Sequence, residues 1–381
     1  MLKNILPATV LLGLLGLGPA HSQEIKDINV AAIMPLSGSS MVNNGPASKA
    51  IKMRVNEINK NGFDVGGTKY RFNVSWFDSE CKSTSAVKAT RAALDTMKDI
   101  DVIWVGMCSS GAVASRPLLI DSGYVVLNSV SGTSQFSGPK GDPYLFKIKE
   151  TFYGRDVSLS EYLKKMGHKK GVVVAVNSKW GAESSSTFKK AAEDEGLEVT
   201  DIITYDEENE EFAPIITKLK KIDPDFVFQS SEYINEQVSF LRTYRQYGLK
   251  AQLAGESTWT EDIPAKMGWD AIDGMLVAGA WFPGSDSPEV KKFLADYEKE
   301  YGEIPGFNGP TSYDMVNITV EAYQKAGKVD PKALRDVLRT SKFTGMTYGD
   351  GVLNFDDNGQ AQFKTVVTRF DKNKKARVHA E

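Results

Sequence analysis

Two short polar segments of the sequence have the residue types and spacing to hold an anion. Cys108-Ser109-Ser110-Gly111 stands between an apolar strand and a predicted helix. Free backbone N–H groups at the start of a helix attract negative charge, and the hydroxyls of Ser109 and Ser110 add donors. Val130-Ser131-Gly132-Thr133 follows the next strand and offers a second polar set. These segments predict the binding of a carboxylate, with helix capping by one serine as the structural alternative.

Three residues of the second half of the chain also follow predicted strands. The rings of Trp180 and Tyr233 can cover an apolar part of a ligand, and the carboxylate of Glu256 can pair with an ammonium group. Packing or surface exposure explains each of the three residues equally well. Together with the serine segments, they indicate a pocket for a small polar solute.

Groups that enzymes use for proton transfer or metal binding are scarce in the chain. Of the three histidines, His21 lies near the N-terminus, His379 near the C-terminus and His168 in a basic turn, so no histidine ends a strand. The sequence has no H-E-x-x-H or C-x-x-C motif, no P-loop and no G-x-S-x-G elbow. We therefore expect no enzyme activity, no cofactor and no metal. The formal net charge of −3 gives no basic surplus for nucleic acid or anionic lipid.

The polar segments belong to a chain that alternates apolar strands with amphipathic helices. Helices are predicted at 46–60, 83–98, 112–122, 152–166, 181–196, 212–221, 233–247, 288–301, 312–326 and 331–340. The short, nearly all-apolar strands between them are typical of parallel sheets covered on both faces. The alternation of strands and helices begins again after residue 150, so each half of the chain can build its own doubly wound sheet. A hairpin is predicted from Val352 to Phe370. Because ligands bind beyond the carboxyl ends of parallel strands, a cleft between two such lobes would collect the polar segments.

The first residues are typical of a secretory signal peptide. Lys3 precedes a short apolar run from Ile5 to Leu17, and Ala20-His21-Ser22 offers small residues for cleavage near Gln23. We therefore expect residues 1–22 to be removed on export to the periplasm. A membrane anchor is the alternative, which the shortness of the apolar run disfavours.

The two cysteines, Cys81 and Cys108, both lie in the part of the chain that would be exported. An oxidising compartment would join them, and the disulfide would contribute roughly 3 kcal/mol through loop entropy. Two free buried thiols are the alternative.

Taken together, the chain resembles the leucine-isoleucine-valine-binding protein family, the periplasmic receptors of branched-chain amino acid ABC transporters. The resemblance covers essentially the whole mature chain and rests on several segments in order, none of which is specific alone. These segments are Val30–Gly38, Asn56-Glu57-Ile58-Asn59 with Gly62, Asp78–Cys81 with Ala86-Val87, Cys108-Ser109-Ser110, Tyr205 with Glu211-Phe212-Ala213, Pro224–Val227 and Tyr313-Asp314.

The resemblance implies the type I periplasmic binding fold, an α/β fold with two doubly wound parallel-sheet lobes joined by three hinge crossings. The crossings are expected near Lys149, Trp281 and Gly345. They divide the chain into a first lobe of residues 23–148 and 283–345 and a second lobe of residues 149–282 and 346–381. The candidate ligand-binding residues are Asn44, Ser109, Ser110, Val130, Ser131, Gly132, Thr133, Trp180, Tyr233 (or Glu232, if the alignment shifts by one) and Glu256.

Three positions depart from the family pattern. Gly132 stands where the family has a threonine, Ser257 where it has an acid, and Trp180 where it has a tyrosine. These departures leave two classes of ligand, a branched-chain or related amino acid and an aromatic or other organic carboxylate.

The expected function is that of a monomeric solute-binding protein, which closes on its ligand and hands it to an ABC transporter permease. A separate membrane sensor is the alternative partner, and an exported enzyme is disfavoured. Nucleic acid and direct membrane insertion are not expected.

Overall fold

The computed structural model describes residues 25–38, 41–137, 142–347 and 351–380, so the predicted signal peptide lies outside the described residues. The strands are β1 (Lys26–Met34), β2 (Phe63–Val65), β3 (Thr68–Asp78), β4 (Val102–Val105), β5 (Val126–Asn128), β6 (Leu145–Lys147), β7 (Lys170–Val176), β8 (Glu198–Tyr205), β9 (Phe226–Ser230), β10 (Gln252–Glu256), β11 (Leu276–Gly279), β12 (Lys342–Thr344), β13 (Val352–Phe355), β14 (Ala361–Gln362), β15 (Val366–Asp371) and β16 (Ala376–His379). The helices are α1 (Met41–Asn59), α2 (Ser83–Thr96), α3 (Ser109–Ser122), α4 (Phe152–Lys165), α5 (Lys179–Asp194), α6 (Ala213–Ile222), α7 (Ile234–Gln246), α8 (Asp262–Met267), α9 (Trp269–Ile272), α10 (Pro288–Tyr301), α11 (Gly309–Ala326) and α12 (Pro331–Thr340). Within the described ranges, every helix is too short or too polar to traverse a bilayer.

The first lobe is built on a six-stranded sheet in the order β2-β3-β1-β4-β5-β6. All neighbours pair in parallel except β2, which is antiparallel to β3. Successive side chains of a strand point to opposite faces, so Ala32 and Met34 enter one core while Ala31 and Ile33 enter another. Helices cover both faces, which explains why the strand reads as a continuous apolar run.

The second lobe has a seven-stranded sheet in the order β16-β15-β11-β10-β9-β7-β8. The five strands from β7 to β11 pair in parallel, and β15 and β16 add an antiparallel edge. Val172, Val174 and Val176 pack on one face of this sheet, and Val173 and Ala175 pack on the other. The two parallel-dominated sheets confirm the predicted α/β fold with two lobes.

The chain passes between the lobes three times, after β6, after β11 and before β15. The third passage differs from the one expected near Gly345. Leu353, Phe355 and Ala361 are buried in the core of the first lobe, so β13 and β14 remain there and the chain returns to the second sheet only at β15. The predicted hairpin is correspondingly shorter, because its second arm ends at Gln362.

Candidate functional site

The polar segments that follow the strands meet in one cleft of about 550 Å³ between the two lobes. Eight of the ten predicted ligand residues line this cleft, namely Asn44, Ser109, Ser110, Val130, Ser131, Gly132, Trp180 and Tyr233. The two that do not line it are Thr133 and Glu256, both of which are fully buried.

The N-terminus of α3 opens into the cleft without a side-chain cap. Its N-cap residue is Cys108, which makes no capping hydrogen bond. Ser109 and Ser110 lie inside the first turn, so neither serine is the N-cap. The start of α5 also reaches the cleft, but there the hydroxyl of Ser178 accepts a hydrogen bond from the N–H of Gly181 at 3.0 Å. Uncapped N–H groups carry the positive end of the helix dipole, so the start of α3 is the better place for a carboxylate.

A second strand-end loop supplies a hydroxyl beside the start of α3. The Ser131 Oγ lies 3.4 Å from the Ser109 Oγ, and both side chains are almost fully buried at the cleft wall. The N–H groups of Val130 and Ser131 already donate to Oδ1 of Asn128 at 3.1 Å each. This loop therefore offers the Ser131 hydroxyl to a ligand rather than those two backbone N–H groups. We call Ser109, Ser110 and Ser131 the anion end of the cleft.

The predicted disulfide is confirmed, and both of its cysteines line the cleft beside the anion end. Cys81 and Cys108 are bonded with their Cα atoms 5.1 Å apart. The bond ties the start of α3 to the segment before α2. Nδ2 of Asn44 lies 3.5 Å from Sγ of Cys108, and its Oδ1 accepts from Nδ2 of Asn308 at 3.0 Å. Covalent and polar contacts thus hold the backbone at the anion end.

The second lobe presents acidic side chains to the cleft, which we call the acidic wall and define as Glu207 and Glu232. Burial, with the nearby carboxylates of Glu207, Glu256 and Glu236, raises the pKa of Glu232 to about 8. A cation beside Glu232 would oppose these effects and favour its ionised form. The cleft therefore has a donor-rich end on the first lobe and two acidic side chains on the second. Lys179 and Lys266 also line it from the second lobe, and Glu80 and Lys82 line it from the first.

Glu256 lies outside the cleft and has internal partners, contrary to the expectation that it meets a ligand. Its Oε2 accepts a close hydrogen bond from Arg155, and its Oε1 accepts from Ser230 at 2.9 Å and from Ser184 at 3.2 Å. Burial raises the pKa of Glu256, while Arg155 acts in the opposite sense. A buried charge needs such partners, so Glu256 belongs to the core of the second lobe.

Aromatic rings form the apolar part of the cleft. Trp180 lines it and meets Phe152 edge to face, with ring centroids 5.9 Å apart. Tyr233 lines the same lobe, and Phe307 lies at the opposite side. These rings suit an apolar group of a ligand whose polar groups lie at the two ends.

The sequence patterns did not predict several of the residues that line the cleft. Phe307 and Asn308 precede α11 and follow no strand, so the strand-end rule gives no signal for them. Glu207 lies in the acidic run 206–211 after β8, a pattern that is typical of a solvated turn. Glu232 appeared only as the alternative to its neighbour Tyr233. Among the described residues, no group of three or more His, Cys, Asp or Glu side chains is arranged to hold a metal.

The periplasmic binding protein family matches residues 27–375, and the chain belongs to that family. A leucine-, isoleucine-, valine-, threonine- and alanine-binding protein from Pseudomonas aeruginosa is 27% identical over 346 residues, which cover 89% of this chain and 88% of the relative.

Two solved structures show the same fold. One is a solute binding protein of an ABC transporter from Rhodopseudomonas palustris in complex with 3,4-dihydroxybenzoic acid, with a TM-score of 0.79, 22% identity and coverage of 93% and 96%. The other is a branched-chain amino acid transporter substrate binding protein from Streptococcus pneumoniae in complex with isoleucine, with a TM-score of 0.79, 20% identity and coverage of 93% and 100%.

Proposed function

We propose that this chain is a monomeric periplasmic receptor that captures a branched-chain or related amino acid between its lobes and delivers it to an ABC transporter permease. The observation that carries the proposal is the opposition of the anion end to the acidic wall across one cleft. A zwitterion has a carboxylate for the first and an ammonium for the second. The names of the Pseudomonas relative and of the isoleucine complex support the same class of ligand.

The carboxylate of the ligand is assigned to the anion end. The uncapped first turn of α3 provides backbone donors. Ser109 and Ser131 add two hydroxyls whose oxygens lie 3.4 Å apart, close enough for both to reach one carboxylate. Hydrogen bonds to a charged group are stronger than those between neutral groups, so this end supplies much of the affinity.

The ammonium of the ligand is assigned to Glu232, because Glu256 is committed to Arg155. The aliphatic side chain then lies against Trp180 and Tyr233. Binding contacts made by both lobes at once stabilise the closed form, so ligand shifts the population toward the state that a permease recognises.

An aromatic carboxylate is the second candidate, and two observations favour it. The cleft is lined by three aromatic rings, and Glu232 with a pKa of about 8 is mostly protonated at neutral pH. A protonated carboxyl can donate to a neutral oxygen such as a phenol. The Rhodopseudomonas structure holds a ligand of this kind.

A thermal-shift screen tests the proposal. L-leucine, L-isoleucine and L-alanine are compared with benzoate and 4-hydroxybenzoate, and a true ligand at about 100 times its Kd adds about 2.7 kcal/mol to the stability. Stabilisation by the amino acids alone supports the proposal, and stabilisation by the aromatic acids alone selects the second candidate. If neither class raises the Tm, capture of a small carboxylate is refuted.

The anion end is tested by Ser109→Ala, which removes one hydroxyl donor. We expect the affinity for the ligand found in the screen to fall about fivefold or more, the loss of about 1 kcal/mol or more. Ser122→Ala is the matched control, because Ser122 lies at the other end of α3, where its hydroxyl donates to Leu119 O and accepts from the N–H of Tyr124. Titration calorimetry measures both, and equal affinities in the two variants would remove Ser109 from the site.

A further inference from the structure

One peptide group links a cation of the first lobe to an anion of the second. The carbonyl oxygen of Thr133 accepts a hydrogen bond from Nζ of Lys147 at 3.0 Å. The N–H of Ser134 donates to Oε1 of Glu183 at 2.9 Å. These two atoms belong to the same peptide unit, so the ammonium and the carboxylate stand at opposite ends of one peptide dipole.

Further bonds reinforce both ends of this arrangement. Lys147 Nζ also donates to the carbonyl oxygen of Gly132 at 2.9 Å, and the Ser134 hydroxyl donates to the same Oε1 of Glu183 at 3.0 Å. A cation at the carbonyl and an anion at the N–H polarise the peptide in the same direction, and charge-assisted bonds are stronger than neutral ones. Burial lowers the pKa of Lys147 to about 7, whereas the carboxylates of Glu150, Glu183 and Asp356 favour its charged form and Lys149 opposes it.

The two charged residues lie on different sides of a hinge. Lys147 is the last residue of β6, fully buried and directly before the first passage between the lobes. Glu183 lies on α5 in the second lobe. The peptide between them continues the segment 130–132, which lines the cleft. The lobes also approach closely at this loop, since a Cβ added to Gly132 would lie 2.3 Å from Cε1 of Phe152.

We propose that Glu183 is a positioning residue for ligand capture, which holds the 130–134 loop from the opposite lobe through the Thr133–Ser134 peptide and thereby latches the cleft. The contact exists only when the lobes are close, so it stabilises the closed form. It also fixes the loop that carries Ser131 of the anion end. The link to ligand capture rests on the proposed function, whereas the latch itself does not.

The test uses the full chain with two substitutions at one position. Glu183→Ala removes the acceptor, and Glu183→Gln keeps an acceptor oxygen without the charge. Glu193→Ala is the matched control on the same helix, because Glu193 is exposed and its side chain pairs with Lys189 of its own helix. Hydrogen exchange of the peptide segment 130–137 and the radius of gyration from small-angle scattering are measured without ligand.

We expect Glu183→Ala to speed exchange at Ser134 about tenfold, as a charged hydrogen bond is lost, and to increase the radius of gyration. Glu183→Gln should recover part of both, and Glu193→Ala should match the parent protein. Unchanged exchange at Ser134 or an unchanged radius of gyration in Glu183→Ala overturns the latch.

Stopped-flow kinetics with L-leucine test the positioning role. A latch that holds the closed form predicts that ligand dissociates about tenfold faster from Glu183→Ala than from the parent protein. An unchanged dissociation rate overturns the positioning role. If the parent protein binds neither L-leucine nor any compound of the screen, the proposed function fails, while exchange and scattering still decide the latch.

Discussion

An amino acid that binds with its ammonium beside Glu232 should expel a proton from the protein. With a pKa of about 8, about 0.9 of the Glu232 carboxyls are protonated at pH 7 in the ligand-free protein. The ligand cation favours the carboxylate, so the complex holds that proton far less often. Because binding and proton loss are linked, the affinity should rise by about tenfold from pH 6 to pH 7 and level off above pH 8.

Calorimetry in buffers of different ionisation enthalpy measures this linkage directly. The apparent binding enthalpy of L-leucine at pH 7, plotted against the buffer enthalpy, should have a slope that corresponds to about 0.9 released proton. Glu232→Gln should abolish the slope and weaken binding. Glu210→Gln, which changes an exposed acid of the acidic run 206–211 near Glu207, should keep both the slope and the affinity.

Binding without proton release would point to a different contact at Glu232. An aromatic carboxylate that accepts a hydrogen bond from protonated Glu232 would release no proton, and its affinity would fall above pH 8. Amino acid binding with no proton release, or with the same release in Glu232→Gln, would refute the assignment of the ammonium to Glu232.

Three further outcomes follow from the packing around the cleft. Reduction of the disulfide should lower the free energy of unfolding by roughly 3 kcal/mol, measured by urea denaturation, and equal curves with and without reductant would contradict the loop-entropy argument. Gly132→Ala should weaken ligand binding about tenfold, because the added Cβ would collide with Phe152. Adding Phe152→Leu should restore part of the affinity, as measured by titration calorimetry. No loss of affinity in Gly132→Ala would show that the loop can move away from Phe152. Glu256→Gln should lower the free energy of unfolding by about 3 kcal/mol, because it breaks the buried ion pair with Arg155, and should leave the ligand affinity nearly unchanged. A large loss of affinity at unchanged stability would show that Glu256 contacts the ligand.

The alternation of apolar strands and amphipathic helices was sufficient to predict the lobes. Helix α10 was predicted with its exact bounds, and α2 and α4 to within two residues. The error lay in the tail, where Leu353 and Phe355 alternate with exposed residues. Such a pattern fits either lobe. The alternation predicts that one face of the strand is buried, but it does not indicate which lobe's core that face contacts.

The candidate site was predictable where a residue lies in the loop or first helical turn after a parallel strand. Ser109, Ser131 and Trp180 meet in the cleft for that reason. The same rule misplaced Glu256, which is the last residue of β10 and points into the core, where Arg155 neutralises it. Sequence spacing gave no sign of that partner, since Arg155 lies 101 residues earlier in the chain.

The order in which the chain visits its lobes constrains how the protein is made. The core of the first lobe joins Val30 and Trp104 with Met315, Leu334 and Leu353, so its last strands are synthesised after the whole parallel sheet of the second lobe. A nascent chain can complete β7 to β11 while the first sheet still lacks α11 as its cover. The five parallel strands of the second sheet can thus pair before the first lobe has its full core, although β15 and β16 join that sheet only when the C-terminus has emerged.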